Sequence, residues 1–457
     1  MKPLFSPIFH SVRPRMKNHA LFLMAWFALS ASAVHAAGPA GAVLPDPLDL
    51  KSAIVYALDH NYAILQSREL IRQQEGIVVQ VKAPGIPNVA ATGSYQRNQS
   101  TVSETFPLSN AQWLAQVKAT QVLFAGGGIH ASVRSAELLR DAALLDLQAS
   151  INAALLDVRT RFYAVLLNRE RVRVQEENVD LLVRQVRDTK NQAAVGTISK
   201  FEVLRAQVAL ANAQPDLIAA RNDYRISIEQ MRQSLGVPPS DPSSRDFPAV
   251  SGSLASAPEA FALESALASA HAHRPELLRL GKLEEAGEHT VTSARSTYYP
   301  NLSVYGAYER VGEGLVQGGS FNANGWLLGV QSSWAIFDGR ATAGRVIQAK
   351  SQVQQARLAF SQEELAVDVE VRQALSSLQE ANELVTASQQ TSAEAAEALR
   401  LADSRFKAGT ATQLDVLTSQ VALTQARTNQ LQANYTQLIA TASLRKAIGL
   451  GDALVGE

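Results

Sequence analysis

Phe406-Lys407-Ala408-Gly409-Thr410-Ala411-Thr412-Gln413-Leu414-Asp415-Val416-Leu417 is written twice in this chain. A shift of 213 positions lays Val195-Gly196-Thr197-Ile198-Ser199-Lys200-Phe201-Glu202-Val203-Leu204 beneath it, with the Gly-Thr and Val-Leu pairs in step. The continuation agrees as well, since Gln207-Val208-Ala209-Leu210 falls on Gln420-Val421-Ala422-Leu423. In both copies a Gly-Thr turn interrupts long amphipathic helical sequence, so the unit to be explained is a pair of helices joined by a tight tip.

The same offset of 213 pairs His60 with His273, Pro87-Asn88 with Pro300-Asn301, Tyr95 with Tyr308, Trp113 with Trp326, Phe124 with Phe337, Gly126 with Gly339 and Gly236 with Gly449. A constant offset means a tandem duplication without net insertion between these points. The copies, 48–236 and 261–449, are too long for solenoid repeats and read as two similar halves about a pseudo-twofold relation. Between them, 237–260 carries Pro238, Pro239, Pro242, Pro248 and Pro258 among serines, the composition of a connector. It suits a disordered tether and an ordered crossing strap equally.

Outward from the tip, Val158, Val165, Val172, Val179 and Val186 recur every seven residues in a proline-free run from 129 to about 192. This is the seam of left-handed helix packing, on a helix about 95 Å long at ~1.5 Å per residue. The return helix runs to Leu235, with Val203, Leu210, Leu217, Tyr224 and Met231 again seven apart, and Pro215 predicts a kink in it. Residues 50–82 are helical in composition until Pro84 and Pro87, and this helix stacks end to end with the return helix to match the long one.

Between those helices the period changes to two. Val89, Ala91, Gly93 and Tyr95 alternate with Asn88, Thr92, Ser94 and Gln96, and Leu302, Val304, Gly306 and Tyr308 with Asn301, Ser303 and Tyr305. Hairpins at 88–122 and 301–335 follow, each with an apolar and a polar face. Such strands suit a membrane barrel wall around a wet lumen, with Asn88, Thr92, Ser94, Gln96, Asn301 and Ser303 facing the lumen. Tyr95, Trp113, Tyr308 and Trp326 fall near one end of the hairpins, and Tyr299 and Trp334 near the other, where aromatic girdles sit. Hairpins half-buried in a soluble domain give the same alternation. Two hairpins cannot close a barrel, so a barrel wall would be shared between chains. Gly126-Gly127-Gly128 and Asp338-Gly339 read as a flexible pivot between barrel and helix, since no Lys-Ser or Lys-Thr follows to make a phosphate loop.

The 457 residues are 46% hydrophobic, with 42 acidic and 42 basic side chains and no basic run, so nucleic acid is not an expected partner. The absence of cysteine removes disulfides, thiolate metal sites and a lipid attached through cysteine. Arg13, Arg15 and Lys17, an apolar run at 20–29 and Val34-His35-Ala36 read as a signal peptide over 1–36, starting at Met1 or Met16. No later segment has the length of a spanning helix. His271-Ala272-His273 reads as an exposed helix start and not a metal site, and no catalytic motif is present. Neither an enzyme nor a cofactor is expected.

Taken together and in order, the duplication, Tyr299-Pro300-Asn301-Leu302, Ile336-Phe337-Asp338-Gly339, Ala408-Gly409-Thr410 and Asp415-Val416-Leu417 resemble the TolC-type outer-membrane channel proteins of Gram-negative bacteria. The resemblance implies a mainly α chain with a β-barrel portion. A homotrimer would build a twelve-stranded barrel in outer-membrane lipid and continue it across the periplasm as an α-helical coiled-coil tunnel. It implies an exit duct for efflux or type I secretion, served by a periplasmic adaptor and, through it, an inner-membrane pump. Adaptor contacts fall on Gly196, Thr197, Val203, Leu204, Arg405, Gly409, Thr410, Val416 and Leu417, with Gln192 where the second copy has Arg405. A ring of acids at the tunnel gate falls on Asp415 and Glu202, whose carboxylates, if crowded, raise one another's pKa. The competing expectation is a periplasmic or surface coiled coil with no pore.

Overall fold

The computed structural model describes residues 44–97, 109–238, 247–255, 259–315 and 320–451. The export segment expected over 1–36 and part of the connector lie outside them. In chain order the elements are α1 (Leu50–His60), α2 (Tyr62–Lys82), β1 (Asn88–Arg97), β2 (Ser109–Ala125), α3 (Gly128–Ala194), α4 (Lys200–Leu235), α5 (Leu263–His273), α6 (Pro275–Ser296), β3 (Asn301–Leu315), β4 (Ser320–Ser333), α7 (Ala341–Lys407) and α8 (Gln413–Ala447). The limits of α1, α3 and their counterparts α5 and α7 repeat at the 213-residue offset, and α3 and α7 have 67 residues each. At ~1.5 Å per residue both are about 100 Å long.

The expected single helix over 50–82 is broken at Asn61, whose backbone is extended. The break is held by chemistry that sequence periodicity does not register. Asn61 Oδ1 accepts from the backbone N–H groups of Ala63 (2.9 Å) and Ile64 (3.4 Å), capping α2, while its Nδ2 donates to Ser234 O in the last turn of α4 (2.7 Å). At the matching position Arg274 is 4% exposed and donates to Ala447 O (3.3 Å), Glu276 (3.1 Å) and Glu370 (2.6 Å). His271 and His273 therefore end a helix instead of starting one. His271 Nε2 meets Asp368 Oδ1 at 2.7 Å, and His273 Nδ1 meets Ser269 O at 3.0 Å. Among the described residues no cluster of metal-ligating side chains occurs.

Around these breaks lie two matching cores. One gathers Ile54, Ala57, Val158, Phe162, Val165, Met231 and Leu235, and the other Ala266, Ala270, Val367, Val371, Leu378 and Leu444. The described part of the connector is an ordered strap over the first core. Leu48 N–H donates to Ala249 O and Ser251 N–H to Leu48 O, both at 2.9 Å. Arg169 donates to the carbonyls of Val250 (2.6 Å) and Gly252 (3.2 Å), and Val250 and Leu254 are buried. α4 continues through Pro215, which lies on its exposed side.

Gly236 and Gly449 close α4 and α8 with φ of +73°. A Cβ on Gly236 would lie 2.2 Å from His60 O, whereas one on Gly196, at φ +78°, meets nothing within 4 Å. Gly196→Ala thus carries only the left-handed backbone penalty of roughly 1–2 kcal/mol, and Gly236→Ala adds a backbone collision. Thermal unfolding followed by helix content will show Gly236→Ala as the more destabilised variant, and equal midpoints would contradict this account.

Candidate functional site: strand wall and helix tips

The strands form one antiparallel sheet in the order β1-β2-β3-β4, so β2 and β3 join the two halves. The register carries the expected faces across β1, β2 and β3, whereas β4 mixes them, placing Phe321 and Leu327 on the polar face and Asn322 and Asn324 on the apolar one. Thr92 is opposite Gln116, Gln116 opposite Glu309, and Asn88 opposite Thr120, which is opposite Tyr305. Asn88, Thr92, Ser94, Gln96, Asn301 and Ser303 therefore share one face with Gln116, Lys118 and Glu309. Leu114 and Val311 interrupt it beside Ser94. Gln116 Nε2 donates to Glu309 Oε2 at 3.1 Å, and Lys118 Nζ lies 4.4 Å from the centre of the Tyr305 ring.

Exposure runs against the rule for a water-soluble sheet. Gln116, Lys118, Thr120, Ser303 and Glu309 on the polar face are half-buried. On the other face Val89, Val117 and Val330 are exposed, Trp326 is 82% exposed and Leu328 81%. Asn88, Thr92, Ser94, Gln96 and Asn301 on the polar face are exposed as well, so it is the exposed valine, leucine and tryptophan of the other face that suit lipid outside, with the polar face toward water.

Tyr308 is the register partner of Trp326, their rings 5.2 Å apart and edge to face. Tyr95 is opposite Trp113, and Trp113 is opposite Gly312, where a Cβ would strike the indole 2.1 Å away. At the other end Tyr299, Phe124, Phe337 and Trp334 are exposed, with Trp334 Nε1 donating to Tyr298 O at 3.1 Å. Eight residues from Trp326 to Trp334 span about 26 Å of strand, close to the ~25 Å apolar band of such walls. Among the described residues β1 and β4 each lack a strand neighbour on one side. Below the sheet, the expected pivot at Gly126 is a tight crossing and not a flexible joint: its Cβ would lie 2.6 Å from Ser296 O. Arg340, at φ +71°, is a strained position that no sequence pattern marks.

The two tips share one turn. Gly196 and Gly409 both have φ +78°. Thr197 N–H donates to Gln192 O at 3.0 Å and Thr410 N–H to Arg405 O at 2.9 Å, the bond that closes a Schellman turn. Each threonine hydroxyl donates to the same carbonyl, at 2.8 and 3.2 Å. The Gly-Thr pair thus has a structural reason in both copies, and Arg405 stands exposed beside the second.

Past the turn the copies diverge. Asp415 Oδ2 accepts from Thr412 N–H (2.7 Å) and Oγ1 (2.8 Å), and Thr412 Oγ1 accepts from Asp415 N–H (3.3 Å), a reciprocal cap on α8. The bonds from Thr412, with the charge of Arg405 nearby, hold the Asp415 carboxyl below its ordinary value. Glu202, in the matching Ser199-x-x-Glu202, does not cap α4. It pairs with Arg205 at 3.2 Å, and that guanidinium stacks 4.7 Å from the Phe201 ring centre. Val416 and Leu417, expected to touch a partner, are buried, and Leu417 packs on Leu182 and Ala213. Val203 is half-buried and Leu204 exposed.

Leu417 is buried because α8 lies along α3, a seam that helical periodicity does not announce. Arg427 Nη1 meets Glu177 Oε2 at 2.8 Å, Arg171 Nη2 donates to Gln432 Oε1 at 2.8 Å, and Gln420 Nε2 to Asn178 Oδ1 at 2.8 Å. Each pair is more than fifty residues apart in sequence, so only the packed helices bring it together.

Known proteins share this arrangement. The family model for outer membrane efflux proteins matches residues 53–237 and 266–450. The chain is 26% identical over 404 residues to outer membrane efflux protein BepC of Brucella suis, covering 88% of this chain and 85% of that one. It is 26% identical over 391 residues to cobalt-zinc-cadmium resistance protein CzcC of Cupriavidus metallidurans, covering 84% and 86%. The CmeC outer membrane channel of Campylobacter jejuni has the same fold, with a TM-score of 0.76 at 15% identity over 88% of this chain and 85% of that one. With a family model matched in both halves and a sheet built for lipid, the chain belongs to the outer membrane efflux protein family.

Proposed function

We propose that the protein is the outer-membrane exit duct of a tripartite efflux or type I secretion system, exported on the signal read in 1–36. The observation that carries this is the sheet with valine, leucine and tryptophan exposed on one face, polar side chains on the other and, among the described residues, both edges open. Three copies of four strands make a closed twelve-stranded wall with Asn88, Thr92, Ser94, Gln96, Asn301 and Ser303 inside. The long helices continue it as a periplasmic tunnel. Among the described residues no helix is long and apolar enough to cross a membrane, so strands make the crossing. A coiled coil without a pore has no use for Trp326 and Leu328 facing outward.

The tips offer Gly196, Thr197, Leu204, Arg405, Gly409 and Thr410 to a periplasmic adaptor, which links the duct to an inner-membrane pump. Asp415 and Glu202 carry negative charge at the tunnel entrance. The Thr412 cap stabilises the Asp415 carboxylate in its ionised form, so the entrance attracts cations.

The chain has no cysteine of its own, which makes the wall directly testable. Purified protein in planar bilayers will conduct, and Thr92→Cys and Ser94→Cys will react with a water-soluble maleimide in proteoliposomes, whereas Val89→Cys and Leu328→Cys will not. Equal labelling of both faces, or no conductance, would remove the duct.

The entrance charge is tested by Asp415→Asn, which keeps a capping side chain. The ratio of cation to anion permeability will fall, and an unchanged ratio would exclude Asp415 from the entrance.

A third outcome concerns pH. The folded-state pKa of Asp415 lies below 3.8, so the cap's stabilisation is complete above that pH and is lost as pH falls through the lower folded value. Amide exchange over residues 413–417, corrected for intrinsic rate, will accelerate below about pH 4, and Asp415→Asn will abolish that acceleration.

A further inference from the structure

The apolar face of the sheet turns polar abruptly at its loop end. Two residues past Tyr95 on that face stands Arg97, two past Tyr308 stands Arg310, and beyond Trp326 come Asn324 and then Asn322. Arg97 and Arg310 are counterparts at the 213-residue offset, so they take the same height in the wall. Charge on the described strands is sorted by face. Glu309, Glu313 and Lys118 lie on the polar face, whereas the apolar face carries the two arginines and no acid. Both arginines are exposed, and among the described residues neither is paired with a carboxylate. A charge is costly in hydrocarbon, so this level is where lipid headgroups begin, at the end of the wall away from the helices.

Around Arg310 the surface is shaped. Its guanidinium carbon lies 5.9 Å from the centre of the Trp113 ring. Asn324 is its register partner and donates from Nδ2 to Tyr308 Oη at 2.8 Å. Gly312 lies one step further out, where a Cβ would collide with the indole nitrogen of Trp113 and come within 2.6 Å of Asn322 Oδ1. The missing side chain lets the indole and the amide flank the arginine together.

We propose that Arg310, with Trp113, Asn322 and Asn324, binds the phosphorylated sugar headgroup of an outer-leaflet glycolipid. This rests on the reading of the wall as a lipid-facing duct and adds a ligand to its outer surface. A guanidinium matches a phosphate with two parallel hydrogen bonds. The indole face offers a stacking surface to a sugar ring and the two amides offer partners to its hydroxyls, groups for which a phospholipid without sugar has no use. The first copy keeps only the charge: Arg97 has Ala111 opposite it where Arg310 has Asn324. Each chain therefore carries one complete site.

The test uses the full-length protein in a nonionic detergent, mixed with lipid A bearing both phosphates, the lipid that stays bound being counted after gel filtration. The unsubstituted trimer will retain one lipid A per chain. Arg310→Ala will weaken retention about tenfold, the loss of one charge-assisted contact. Arg310→Lys, which keeps the charge without the fork, will restore part of it, and Arg97→Ala will cost less than Arg310→Ala. Lys118→Ala, on the opposite face, will change nothing. Retention that survives Arg310→Ala, or that falls equally with Lys118→Ala, overturns the site. Competition by phosphatidylglycerol as strong as by lipid A itself overturns the recognition of sugar, and competition by inorganic phosphate at the same concentration overturns lipid as the source. Conductance of the unsubstituted protein in planar bilayers separates the two readings. No conductance removes the duct and with it the orientation of this face, whereas a conducting protein that retains no lipid A removes the site alone.

Discussion

Backbone groups that enter lipid must find partners, and a four-stranded sheet leaves two rows of them unmet. Each unpaired N–H or C=O in hydrocarbon costs several kcal/mol, so the outer edges of β1 and β4 cannot face lipid alone. The side chains make the same demand, since the face carrying Trp326, Leu328 and Val330 has no core to enter. Closure with other copies answers both at once. The remainder of the chain is consistent with a wall completed only in an assembly: helices too long for any globular core, and a polar strand face that needs water.

The duplication makes such closure economical in design. Because β2 pairs with β3 across the repeat, the contact joining the halves is a template for the one joining subunits, and the same holds for the helices. The halves have nevertheless been specialised. Asn61 and Arg274 perform one task, holding the end of the return helix, but Arg274 adds a charge that recruits Glu276 and Glu370. The tips keep one turn and differ just beyond it, where Asp415 caps α8 and Glu202 turns to Arg205.

Much of this is legible in the sequence, because it is written in periods. The alternation of two matches the faces of β1 to β3 and fails in β4, where Phe321 and Leu327 fall on the polar side, and the constant offset gave the equivalence of the halves. The heptads with proline-free runs gave helices whose limits fall within two residues of those observed. What stayed hidden depended on single side chains acting across distance. Asn61 breaks a helix that periodicity runs straight through, because its amide bonds a carbonyl 173 residues away. Gly126 looks like a hinge in sequence and is a point of close crossing, since Ser296 and Tyr299 arrive from another element. At the tips, Val416 and Leu417 are buried within the chain, Leu417 against Leu182 of α3 and Ala213 of α4. The part of the connector that reads as a strap owes its order to Arg169, a residue eighty positions upstream.

The equal length of α3 and α7, 67 residues each, restricts how such a protein can change size. Losing one heptad from α3 would raise its tip by about 10 Å while the other tip stayed where it was, and α4 would meet α3 out of register. A shorter or longer tunnel therefore requires matched indels in four helices, two outgoing and two returning. Periplasmic reach is in this sense a quantised property of the fold, adjustable in whole heptads and inaccessible to any single insertion.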